Sequence, residues 1–368
     1  MAATARRRFL RAGLAVAGLG LLTASGATAT AASAAVAPGV SPMEAEGAAF
    51  DAPLDPPVTV RVGRVGALVE AGQIIALERG YFDELGLRID YAEFDSAARM
   101  IPGLGNGQLD VGGGTVSAGL FNAVARGISV KMVGPQSRHD LGASSLYMLV
   151  RHDLIESGEI TGYSDLHGRR IATPARGIIT DFIAAKALAL GGLDLADAEF
   201  VEMSFPDMIS AFGNRAIDAA VQVEPTAAQS VNRGVAIKWR EAAELSPGVQ
   251  AAVVVYSPHF AAQTDVARRW MVAYLRGVRD YNDAFMKHRG RAEIVDILAR
   301  QTAVKDPALY EQMGFSYIDP NGRLDEESLG EQLAWFTQQG FVPQPPVVRE
   351  SVDLSFADFA VERLGWYE

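Results

Sequence analysis

The chain repeats itself. Leu104-Gly105-Asn106-Gly107-Gln108-Leu109-Asp110 lines up with Phe212-Gly213-Asn214-Arg215-Ala216-Ile217-Asp218, and Val124-Ala125-Arg126-Gly127 with Val231-Asn232-Arg233-Gly234, an offset of about 107 residues (124 to 231). Solenoids repeat every ~20–50 residues, so a period this long means two copies of one domain. Each copy alternates apolar strands with helical patterns. The first has a strand that begins at Val58 and others at 88–94, 110–114 and 128–134, with helices between, one of them carrying Ile74, Ile75 and Leu77 on its apolar face. The second has strands at 170–173, 199–205, 218–223 and 235–239, with helices at 178–192, 207–214 and 226–234. This order predicts two α/β lobes with largely parallel sheets, whose ligands sit beyond the carboxyl ends of the strands. The last third breaks the pattern: a strand at 251–257 and helices near 264–288, 291–300 and 325–340 are expected to return to the first lobe. Lobe 1 is then residues 58–145 and 251–368, the latter including the C-terminal helices, and lobe 2 is residues 146–250. Crossovers near 141–147 and 246–252 would act as a hinge.

The segment before residue 58 reads as an address rather than as fold. Arg6-Arg7-Arg8-Phe9-Leu10-Arg11 precedes an Ala/Gly-rich apolar run too short for a good membrane span. The adjacent arginines match the twin-arginine export pattern, with Ala5 where Ser or Thr is usual. Residues 1–34 are therefore expected to be a signal peptide, with cleavage after Ala34 or Ala37, and residues 35–57 a flexible leader. There is no cysteine, which excludes a disulfide framework, a thiol nucleophile, a Cys-ligated metal and a lipoprotein anchor. An exported protein without a lipid is most useful in a periplasm. The net charge is −11, and loss of the four arginines in residues 1–34 makes the remainder more acidic, which argues against nucleic-acid binding.

Four pieces in order carry a resemblance to a known family: Ala76-Leu77-Glu78-Arg79-Gly80-Tyr81-Phe82 before Gly86-Leu87; Gly107-Gln108-Leu109-Asp110-Val111-Gly112; Asp165-Leu166-His167-Gly168-Arg169-Arg170-Ile171-Ala172; and Asp218-Ala219-Ala220-Val221 running into Glu224-Pro225. Over residues 58–345 the chain resembles the substrate-binding proteins of bacterial ABC importers of the nitrate, sulfonate and taurine type, which include binders of thiamine-precursor pyrimidines. The resemblance implies a type II periplasmic-binding-protein fold and a monomer that captures a small solute and delivers it to an inner-membrane permease and ATPase, with no cofactor and no catalytic residue.

Within that frame, the stretch Pro174-Ala175-Arg176-Gly177 leads from a strand straight into a helix expected at Ile178. The free N–H groups and positive dipole end of that helix suit an anion. Gly177 lets a ligand approach the backbone, and Thr180 adds a hydroxyl. Arg176 stands where members of the family commonly have a small residue, and its guanidinium could grip a carboxylate or sulfonate through two hydrogen bonds. From the facing lobe, Thr115 and Ser117 could cap a helix or reach the ligand. Leu68, Val69 and Phe205 would supply apolar wall, and Gln136 and Arg138, expected just after a strand, are further candidates. Glu224 could bond a ligand N–H, giving the alternative of a neutral or cationic heterocycle of the pyrimidine type.

Three other chemistries fare worse. Thr115-Val116-Ser117-Ala118-Gly119 imitates a nucleophile elbow, which would make Ser117 the nucleophile of a secreted hydrolase, but Thr115 occupies the place of the first glycine. The histidines at 139, 152, 167, 259 and 288 have no metal-ligand spacing. Neither 103–107 nor 112–114 has the ending or spacing of a phosphate-binding loop.

Overall fold

A computed structural model describes residues 50, 52–94 and 96–368. The export signal expected at 1–34 and most of the leader lie outside the described residues. Two five-stranded sheets organise the rest. The first contains β1 (Val58–Arg64), β2 (Leu87–Glu93), β3 (Val111–Thr115), β4 (Lys131–His139) and β10 (Val249–Tyr256), in the order β2-β1-β3-β10-β4. The second contains β5 (Leu146–Arg151), β6 (Arg170–Thr173), β7 (Glu199–Glu202), β8 (Ala219–Val223) and β9 (Ala236–Glu241), in the order β7-β6-β8-β5-β9. Lobe 2 is thus continuous in sequence, and lobe 1 is completed by the returning chain.

Each sheet is largely parallel with one reversed strand that makes it mixed. In each, four of the five strands run the same way as the repeat predicts, and one is reversed: β10 is antiparallel to its neighbours β3 and β4, and β5 to its neighbours β8 and β9. These two strands enter their lobes from the crossovers, so they run against the βα units already there.

The repeat is visible in atomic detail. Asp110 accepts the backbone N–H of Arg61 on the neighbouring strand at 2.9 Å and pairs with its guanidinium at 2.6 and 2.9 Å. Asp218 does the same for Arg170, at 3.0 Å for the N–H and 2.9 and 3.1 Å for the guanidinium. Burial raises the Asp218 carboxyl, but Arg170 outweighs it and holds the group below the usual range.

Helices α1 (Ala71–Glu78), α2 (Ala97–Gly105), α3 (Ala118–Ala125), α4 (Ile179–Leu190), α5 (Phe205–Gly213) and α6 (Thr226–Asn232) connect the strands, and α7 (Thr264–Phe285), α8 (Arg291–Gln301), α9 (Glu326–Gln338) and α10 (Ser355–Leu364) follow β10. One lobe 1 core joins α1, α7 and α10 around Trp270, Tyr256 and Tyr274, and a second, on α2, α3 and α9, includes Met100, Phe121 and Phe336. Helix α7 crosses α1 glycine to glycine: a Cβ on Gly277 would stand 2.1 Å from the carbonyl oxygen of Gly72. Lobe 2 has its own cores, around Phe182 and Met148 on one face and Phe212 and Met208 on the other.

Helix α9 touches both lobes. Phe336 lies 6.2 Å from Phe121 in lobe 1, while Trp335 meets Phe182 of α4 edge-on at 5.6 Å and Glu331 pairs with Lys186 of the same helix. Its first turn is tied to β10, because Ser328 Oγ accepts the Gln250 N–H at 3.0 Å and Gln332 donates to the Gln250 carbonyl at 2.9 Å. The first crossover leaves lobe 1 at His139. That ring is fully buried, its Nδ1 accepts the Ser145 N–H at 3.3 Å, and burial pushes its pKa down to about 3, so it stays neutral.

Candidate ligand cleft

On the lobe 1 side, the loop after β1 is organised by Glu70. Its carboxylate accepts the N–H groups of Val65, Gly66 and Ala67 at 2.7, 2.9 and 3.3 Å, which shapes the turn carrying Leu68 and Val69, both half-buried. Burial pushes the Glu70 carboxyl up to about 7 against the pull of those three donors and of Arg64. Thr115 closes β3 and is exposed, while Ser117 caps α3 by accepting the Leu120 N–H at 3.3 Å. Among the described residues, no histidine or carboxylate bonds the Ser117 hydroxyl, so the elbow-like stretch lacks the base a nucleophile needs.

Gln136 and Arg138 lie within β4 rather than after it. The strand runs on to His139 because β10 pairs with it as far as Val249. Arg138 is bound to Asp140 at 2.8 Å and stacks over Tyr317, whereas Gln136 is buried with no partner for Oε1.

On the lobe 2 side, α4 starts at Ile179 with Ile178 as its N-cap. Gly177 has φ +74° and is buried; a Cβ there would stand 3.2 Å from Phe341 and 3.3 Å from Ala118, both on lobe 1. The Ala118 N–H donates to the Gly177 carbonyl at 2.9 Å, and Ser117 bridges Ile178 in antiparallel fashion. Helices α3 and α4 therefore begin against one another, one from each lobe. Beside this junction a cavity of about 20 Å³, bordered by Gly113, Thr115, Ser117 and Leu120, has room for a water-sized group.

Arg176 does not point out alone. Its Nε donates to Asp181 Oδ2 at 2.7 Å, and its guanidinium lies 4.3 Å over the Phe200 ring and 5.9 Å from that of Phe341. Asp181 is fully buried, also accepts the Gly177 N–H at 2.9 Å, and leaves Oδ1 without a partner. Burial pushes its carboxyl up, opposed by Arg176 and by the Gly177 N–H. Thr180 is buried and shares a 2.7 Å hydrogen bond with Thr173, so its hydroxyl serves the strand-to-helix turn.

Phe205 belongs to the first turn of α5 rather than to a strand end, because Ser204 caps the helix and Pro206 fits its start. Glu224 spends both oxygens internally: Oε2 accepts the Ala228 N–H at 2.9 Å, and Oε1 takes Lys238 and the Gly314 N–H at 3.2 Å. Sequence reasoning did not single out Asp181, Phe200 and Phe341, which pack against Arg176 or Gly177. An acid one turn into the helix after Arg176 was a readable signal for Asp181; Phe341, far off in the chain, left none. Among the described residues no three His, Asp or Glu side chains gather to hold a metal, and no helix is long and apolar enough to cross a membrane.

Comparison with known proteins agrees with this architecture. A family model described as NMT1/THI5 like matches residues 69–284. A Brucella abortus protein named only as a binding protein is 28% identical over 171 residues, 44% of this chain and 47% of that one. The chain therefore spans about half the length of the curated relatives it matches. Among solved structures, the alkanesulfonate-binding protein SsuA of Xanthomonas axonopodis pv. citri, bound to MOPS, is 20% identical with a TM-score of 0.63 over 81% of this chain and 98% of that one. The periplasmic nitrate-binding protein NrtA of Synechocystis PCC 6803 is 14% identical with a TM-score of 0.67 over 83% and 89%. The desulfurization enzyme DszB, with biphenyl-2-sulfinic acid, is 16% identical with a TM-score of 0.60 over 83% and 99%. At such identities the shared property is the fold, the type II periplasmic-binding-protein architecture that the resemblance implied. The family match covers more than half of the sequence, and the chain belongs to the NMT1/THI5-like family.

Proposed function

We propose that this protein is the solute-binding component of an ABC importer that holds a small organic anion, a sulfonate or carboxylate, between its lobes. The observation that carries the reading is the meeting of two helix N-termini, α3 from lobe 1 and α4 from lobe 2, within one hydrogen bond of each other. Their positive dipole ends add up at one place, which favours negative charge. Arg176 is the anchor in this reading: Asp181 holds its Nε, and the outer nitrogens of the fork are left for the ligand. Leu68, Val69 and Phe205 supply apolar wall, and Gly177, Thr115 and Ser117 border the anion. SsuA and NrtA, with the same fold, are named for alkanesulfonate and nitrate, which supports an anion. The alternative, a cationic heterocycle on Glu224, is disfavoured by the commitment of that carboxylate to Lys238 and two N–H groups.

Ala118 and Phe341 of lobe 1 already meet Gly177 of lobe 2, so in this reading the lobes part to admit the solute and close again over it. The partners in this reading are a permease and its ATPase, the compartment is the periplasm, and export is by the twin-arginine route. A thermal-shift screen of sulfonates, carboxylates, nitrate and neutral pyrimidines tests the ligand class. Stabilisation by organic anions is expected; stabilisation by pyrimidines alone would overturn the reading.

A further inference from the structure

Among the buried amides of lobe 1 that keep one atom without a partner, which include Asn282 on α7 and Gln332 on α9, Gln136 and Gln73 lie toward the end of the lobe that faces the cleft. Gln136 is 2% exposed and its Oε1 has no donor; Gln73, also 2% exposed, has an Nε2 with no acceptor. An unmade hydrogen bond at a buried polar atom is costly, so native folds rarely leave one without a use.

The placement of Gln136 is built in. On β10 the consecutive residues Ala252 and Val253 pair with Ser137 and Pro135 of β4, which leaves Gln136 as the extra residue of a β-bulge. Bulges re-aim a side chain and are common beside binding sites. Here the amide reaches over β10 to β3, and its Oε1 stands 2.6 Å from where a Cβ of Gly113 would be. Gly113 and Thr115 also border a small cavity in lobe 1, whose lining does not include Gln136 itself.

Gln73 comes to the same end of the lobe from α1, directly after the Leu68–Glu70 turn, which touches β4. Tyr274 links the two glutamines: its hydroxyl donates to the carbonyl of Pro135 at 2.5 Å, and its ring would lie 2.9 Å from a Cβ on Gly72. It thus contacts the residue preceding each glutamine. Both amides lie toward the carboxyl end of the lobe 1 strands, where ligands of such sheets sit.

We infer that Gln136 and Gln73 form a polar subsite that receives a hydroxyl group on the solute, so that the preferred ligand is a hydroxylated organic anion rather than a bare one. A hydroxyl both donates and accepts, so one such group serves the Gln136 oxygen and the Gln73 nitrogen. Nitrate and unsubstituted alkyl anions offer no donor and would leave Oε1 bare. The inference rests on the organic-anion reading and narrows it.

The test compares matched probes by calorimetry on the mature protein: ethanesulfonate with 2-hydroxyethanesulfonate, and propanoate with 3-hydroxypropanoate. The hydroxylated member of at least one pair should bind about tenfold to a hundredfold more tightly. That ratio should collapse toward one in Gln136→Leu. Gln73→Met, a separate variant of similar volume, should reduce it too and serves if the first variant fails to fold. Equal affinities within both pairs in the parent protein, or a preference that persists in both variants, would overturn the subsite while leaving the organic-anion reading intact. Failure of all four probes and of the wider anion screen would overturn both.

Discussion

Replacing Arg176 by alanine should lower stability before any ligand is considered. The substitution leaves Asp181 buried with a negative charge and a single remaining donor, the Gly177 N–H. Removing one partner of a fully buried pair costs about 3–5 kcal/mol, but Arg176 keeps 32% of its side chain exposed, and water screens the pair, so ~2 kcal/mol is the appropriate scale. At roughly 2–4 °C per kcal/mol, the melting temperature should fall by about 4–8 °C. Asp181→Asn keeps an oxygen for the Gly177 N–H and removes the charge. In that background Arg176→Ala should cost only the lost stacking on Phe200, ~0.5–1 kcal/mol. The double-mutant cycle, read by urea denaturation, should therefore give a coupling energy of ~1–1.5 kcal/mol. If Arg176→Ala costs the same in both backgrounds, the pair contributes nothing and the account of this loop is wrong. Calorimetry on the same four proteins separates the roles: an anion anchored by Arg176 loses affinity in both Arg176 variants, whatever stands at 181.

Gly277→Ala should destabilise the fold by ~1–3 kcal/mol despite the better helix propensity of alanine, because the new methyl meets backbone of α1; urea unfolding with a change smaller than 0.5 kcal/mol would mean that the helices can slide apart. The Glu70 carboxyl titrates near 7 in the folded protein and near 4.5 when unfolded, so the folded state binds the extra proton in between. Its contribution is most favourable below pH 4.5 and is lost as the pH rises through about 7. Glu70→Gln should flatten that part of the stability profile, and an unchanged slope between pH 5 and 8 would show that another group is responsible. Changing Arg6 and Arg7 together to lysine should leave precursor in the cytoplasm on fractionation, and normal export would identify an ordinary secretory signal.

Much of the architecture could be read from the sequence because the repeat is chemical as well as periodic. Asp110 and Asp218 occupy equivalent places in it, and each clamps an arginine on the adjacent strand. The antiparallel strands β5 and β10 were harder to foresee, since a strand's direction depends on where the chain enters the sheet rather than on its residues. At the site, the helix start after Gly177 was legible from local pattern. What faces it was not: Phe341 and Ala118 reach Gly177 from distant parts of the chain. Thr180 and Glu224 show the opposite limit, since polar residues at a cleft-facing strand end can be spent on the turn itself.

Helix α9 also sets a clock. Because Trp335 and Glu331 engage α4 from a helix anchored on the other lobe, the proposed capture of a solute would mean first separating Trp335 from Phe182 and Glu331 from Lys186. Capture then cannot speed up without bound as solute becomes abundant. In stopped-flow mixing the observed rate should climb with concentration and level off at the frequency of that separation, in the microsecond-to-millisecond range of hinge motions. Trp335→Ala should lift the plateau, and under the proposed function the rate of uptake at high solute would be governed by a side chain with no part in holding the solute.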